Sequence, residues 1–168
     1  MSPRILVSSL ATAVLVLVAP LPVLAQGGVI HARGANGGGT VVAGPNGAAG
    51  RAHGTTTANG ATTRASGGAF AGTNGAYGYR SSSTSVNSAN GTATHSGGGT
   101  ASGANGSVTS SNSFSGSTET GVTGSSQTSA TNANTGNSYS GSTTVNSAAG
   151  RPVHTGTCTN SAGATISC

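Results

Sequence analysis

Apolar positions fall into two regimes along the chain. The first 25 residues, MSPRILVSSLATAVLVLVAPLPVLA, carry Arg4, an apolar run centred on Ala13 to Val18, and then Val23-Leu24-Ala25. That order predicts a secretory signal peptide cleaved near Ala25-Gln26. Pro20 and Pro22 interrupt the run, which falls short of the ~20 apolar residues a spanning helix needs. After Gln26 there is no Leu, and the larger apolar side chains stand mostly alone. They are Val29, Ile30, Val41, Val42, Phe70, Tyr77, Tyr79, Val86, Val108, Phe114, Val122, Tyr139, Val145, Val153 and Ile166. So few cannot offset the entropy of ordering the backbone around a conventional core. No second apolar segment follows the leader, which predicts a mature chain without a membrane span.

The polar positions carry the stronger rhythm. Asn-Gly pairs occur at 59–60, 74–75, 90–91 and 105–106, spaced by 15, 16 and 15 residues. The count continues to Thr120-Gly121, Thr135-Gly136 and Ala149-Gly150, with Asn46-Gly47 one shorter unit upstream. Asn-Gly supplies the two positive φ angles of a tight hairpin turn. Between turns, Ser and Thr dominate and several stretches alternate. Ser107 to Gly121, SVTSSNSFSGSTETG, places Val108, Ser110, Asn112, Phe114, Gly116, Thr118 and Thr120 on one face if extended. No 3.6-residue apolar repeat exists, and Gly, Ser, Thr and Asn are poor helix-interior residues, so no helix is expected beyond the signal peptide.

The ordered options are a β-meander or a β-solenoid. A solenoid needs one apolar column, yet the residues two past each turn glycine are Thr62, Tyr77, Ala93, Val108, Thr123 and Ser138. With 30 Gly and only 4% charged residues, the composition suits a flexible chain. The fold expected is therefore a largely disordered low-complexity chain over residues 26 to 150, with irregular all-β repeats of period about 15 as its ordered alternative. Four segments result: 1–25 signal peptide, 26–58 Gly-rich N-terminal segment, 59–150 Gly/Ser/Thr/Asn-rich repeats, and 151–168 a C-terminal Cys hairpin.

Cys158 and Cys168 bracket the ending CTNSAGATISC. Two short strands joined by Asn160-Ser161-Ala162-Gly163 would bring the thiols together, and an exported chain would oxidise them. A disulfide-closed β-hairpin is expected there, rather than a redox or metal pair.

Charge comes next. Beyond the leader stand Arg33, Arg51, Arg64, Arg80 and Arg151 against Glu119 alone, with His31, His53, His95 and His154 available for protonation. Arg51, Arg64, His95 and His154 each fall four residues after a turn glycine, and Arg80 five after. In ordered repeats these groups would line one edge. An exported basic chain meets phosphate and carboxylate polymers, which the planar Arg fork pairs well. Tyr77-Gly78-Tyr79-Arg80 would add a stacking surface. The expected partners are extracellular DNA or acidic polysaccharide, held weakly and salt-sensitively, with self-association as a further mode.

Other chemistry is poorly provided for. One carboxylate cannot form an acid/base pair, and a Ser-His-acid triad would have to use Glu119 in a flexible STETG context. The histidines are too scattered for a metal set, so neither cofactor nor catalytic residue is expected. The Gly triplets at 37–39 and 97–99 lack the Lys-Ser/Thr ending of a phosphate loop.

A signal peptide followed by Gly/Ser/Thr/Asn-rich repeats resembles low-complexity secreted bacterial surface and biofilm-matrix proteins. In outline it is also similar to the repeats of curli-type functional amyloids, although Gln is nearly absent and the period is shorter. These resemblances imply a non-enzymatic extracellular role in matrix or adhesion, with a self-assembling β-fibre as the alternative.

Overall fold

The computed structural model describes residues 27–168; the signal-peptide expectation lies outside them. Over the described residues the chain is an eleven-stranded antiparallel sheet in simple sequence order. The strands are β1 Gly28–Gly34, β2 Gly37–Gly44, β3 Gly47–Ala58, β4 Ala61–Gly72, β5 Tyr77–Asn87 and β6 Thr92–Gly103. They continue as β7 Gly106–Ser117, β8 Gly121–Asn132, β9 Ser138–Asn146, β10 Val153–Thr159 and β11 Thr165–Ile166. The ordered alternative thus holds, and the expectation of disorder does not hold for these residues. Each period of about 15 is one strand and its turn.

The reason is local. Thr and Val suit a pleated backbone, and small hydroxyl side chains meet directly across the ladder. Thr63 donates to Ser85 at 2.9 Å, Thr100 and Thr109 meet at 3.1 Å, and Ser142 and Thr155 at 3.0 Å. Such cross-strand pairs each contribute about 0.2–1 kcal/mol. From β2 to β9 every strand is paired on both sides, so the backbone donors and acceptors find their partners within the ladder.

The turns use glycine as anticipated, with one correction. Gly47, Gly60, Gly75, Gly91, Gly106, Gly121, Gly136 and Gly150 all have positive φ. Only Asn59-Gly60 forms the two-residue turn with both φ positive, at 51° and 77°. At 46–47 and 105–106 the glycine instead opens the next strand, while 74–75 and 90–91 sit in longer loops. There a second device operates: an Asn at the strand end accepts from backbone amides beyond it. Asn87 accepts from Ala89 and Asn90, and Asn132 from Asn134 and Thr135. Asn146 accepts from Ala148, and Asn160 from Ala162 and Ala164.

No hydrophobic side chain among the described residues is buried. Ten large apolar residues are exposed, from 41% at Val108 to 60% at Val153, and Val41, Phe114, Tyr139, Val145 and Ile166 are half-buried, so one layer of sheet stands without a packed core on either face.

Candidate functional site

Directly opposed residues of an antiparallel ladder share a face, so the registers sort every strand residue to one side or the other. On the first face, a row crosses the whole sheet: Val29, Val42, Ala49, Phe70, Gly78, Ala101, Val108, Ala130, Tyr139, Cys158 and Ile166. It is apolar from end to end. The next row on that face runs His31, Thr40, Arg51, Gly68, Arg80, Gly99, Ser110, Thr128. Beyond it lies Arg33, Gly38, His53, Ser66, Ser82, Gly97, Asn112, Ser126, Thr143, His154. Arg64 and His95 stand in the row after that, flanking Thr84.

All four strand arginines and all four histidines therefore occupy one face. They line that face, not an edge. The opposite face carries no charged side chain in any strand and is mostly Ser, Thr, Ala and Gly. Tyr77 and Tyr79 stand there, on the far side of the sheet from Arg80, because side chains alternate along β5. The expected Tyr-Tyr-Arg stacking unit is thereby split. Arg151 lies in the connection between β9 and β10, and Glu119 in the turn between β7 and β8. Among the described residues no Arg is paired with a carboxylate.

The charged face is concave over β1 to β7, where it forms an open trough of about 780 Å³ lined by His31, Arg33, Arg51, His53, Arg64, Arg80 and Asn112. Both glycine triplets lie in strands, β2 and β6, and supply part of its floor. Hydroxyls hold the imidazoles: His31 meets Thr40 at 2.9 Å, His95 meets Thr84 at 2.8 Å, and His154 meets Thr143 at 2.9 Å. Ser66 and Ser82 share a bond of 3.0 Å on the same floor. The buried Asn112 Oδ1 has no hydrogen-bond partner among the described residues. The sequence does not single out Ser66, Ser82 and Asn112 as site residues, although alternation places Asn112 on one face with Val108 and Ser110; their signal is position within the strand.

Cys158 and Cys168 form a disulfide with Cα atoms 5.4 Å apart, closing the β10–β11 hairpin over the Asn160–Gly163 turn as anticipated. A disulfide is compatible with an oxidising compartment. Among the described residues no group of three or more His, Cys, Asp or Glu is placed to hold a metal ion, and no helix is long and apolar enough to cross a membrane. Compared with protein-family models, curated proteins and solved structures, the chain matches none.

Proposed function

We propose that this is an exported, non-enzymatic matrix or surface protein that makes weak multivalent contacts with anionic polymers such as extracellular DNA or acidic polysaccharide. One observation carries the reading: Arg33, Arg51, Arg64 and Arg80 share one sheet face, concave over β1 to β7, with all four histidines and no carboxylate. Four guanidinium groups with no carboxylate partner among the described residues have their forks available for external anions. Each contact alone is weak and salt-screened, so retention depends on several acting together. Changing these four arginines to Gln is expected to abolish retention on immobilised DNA and on acidic polysaccharide. For the unchanged protein on DNA, the salt slope is expected to match roughly three to five neutralised phosphates. Unchanged retention of the variant would overturn the reading.

A second reading, a self-assembling β-fibre subunit, rests on the two open edges of the sheet. β1 has a partner on one side only, and Val153–Thr157 of β10 lie beyond the reach of β11, which pairs only with Cys158 and Thr159. Unpaired edges are templates for further strands.

A further inference from the structure

The anionic polymer can be narrowed by the shape and chemistry of the face, granted that the polyanion reading holds. We propose that the two polar rows form a track for a single extended chain of acidic polysaccharide, lying across the strands. Three observations carry this. First, the rows continue from β1 to β10, about 40 Å at the ordinary strand spacing, with the apolar row beside them as a border. A linear polymer matches such a track.

Second, the polar character changes along the track. The positive groups Arg33, Arg51 and Arg80 belong to β1, β3 and β5, whereas β7 to β9 offer Ser110, Asn112 and Thr143. A ligand satisfying both halves carries anionic groups and many hydroxyls on one backbone. Ser110 and Asn112 line the trough, and a hydroxyl and a side-chain amide are hydrogen-bonding groups suited to sugar hydroxyls. Third, the rings that the two polar rows contribute are the imidazoles of His31, His53 and His154, two of them bonded to hydroxyls; the Tyr139 ring reaches over the track at β9 and β10, and Tyr77 and Tyr79 are on the other face. A continuous series of base-stacking platforms, on which single-stranded nucleic acid binding depends, is missing from the track. Duplex DNA presents its phosphates on a stiff, thick rod. The Arg51 and Arg80 forks rise from the floor of a trough, flanking Gly68, where a thin chain meets both.

Binding of the purified protein to polygalacturonate, neutral dextran, oligothymidylate and duplex DNA, all at one low salt concentration, tests the assignment. Polygalacturonate is expected to bind about tenfold tighter than either nucleic acid, a difference of ~1.4 kcal/mol, and dextran not to bind. Arg51→Gln with Arg80→Gln should lose most of that affinity, and Tyr77→Ser with Tyr79→Ser on the opposite face should leave it unchanged. Equal or tighter binding of either nucleic acid would overturn the polysaccharide assignment while leaving the polyanion reading standing. Failure of all three polyanions would overturn both. Loss of affinity in the tyrosine variant, with its circular dichroism intact, would place the ligand on the wrong face and overturn the track.

Discussion

Glycine within a strand ordinarily weakens it, because it has no side chain to pack and much freedom to lose. Here several strand glycines are covered instead. Phe70 lies opposite Gly78 and Phe114 opposite Gly124, each ring close enough that a Cβ on the glycine would collide with it. Tyr139 similarly covers Gly141 and Gly156. The arrangement lets a few large rings shield backbone that the small neighbours leave bare. Gly78→Ala is expected to lower stability by about 1–3 kcal/mol, since its Cβ would also lie 2.9 Å from the Thr100 carbonyl oxygen. Gly44→Ala meets nothing within 4 Å and should shift stability by no more than about 0.5 kcal/mol. Urea midpoints of the two variants make the comparison.

The strand-and-turn unit was largely legible, because a turn needing positive φ leaves glycine in the sequence at every repeat. The apolar row was not. Successive strands run in opposite directions, so equivalent counts from each turn glycine land at opposite ends of neighbouring strands: Ala93 and Val108 share a face but stand in different rows, while Tyr77 lies on the opposite face. A column sought by translation is invisible when the true row is built by reflection. Arg51 and Arg80 share a row although they stand four and five residues past their glycines, because Gly47 opens β3 whereas Gly75 lies in the loop before β5. Alternation along β5 separates Tyr79 from Arg80, which adjacency had joined. At the C-terminus the spacing of Cys158 and Cys168 around a turn tetrapeptide was enough to anticipate the hairpin. That hairpin rests on only two ladder pairs, Cys158–Ile166 and Thr159–Thr165. Cys158→Ser with Cys168→Ser is therefore expected to cost about 2–3 kcal/mol. Hydrogen exchange should show protection lost in β11 and the end of β10, with β3 to β8 retained.

At the scale of the molecule, the sheet lacks a second layer, so stability comes from the sum of neighbouring strand pairings, much as in repeat proteins. Its two open edges carry no closing strand, and joining β1 of one copy to Val153–Thr157 of β10 in another would continue the two polar rows across the junction, Cys158 of the apolar row being already paired with β11. Concentrated protein is expected to form fibres with a reflection near 4.8 Å, and Thr155→Lys on the β10 edge to suppress them by placing charge there. Fibre diffraction and sedimentation check this; unchanged assembly by the variant would show that growth does not use that edge. The sequence-order topology has one more consequence, for a chain held at both ends under load. Each strand touches only its neighbours in sequence, so tension peels the ladder bond by bond from its margins and never shears a packed interior. Each strand and turn from β3 to β9 then yields about 50 Å of slack and the shorter β1 and β2 units about 30 Å, while the disulfide keeps residues 158–168 looped. The protein is built as a reel, paying out length in nearly equal increments along its repeats before it breaks.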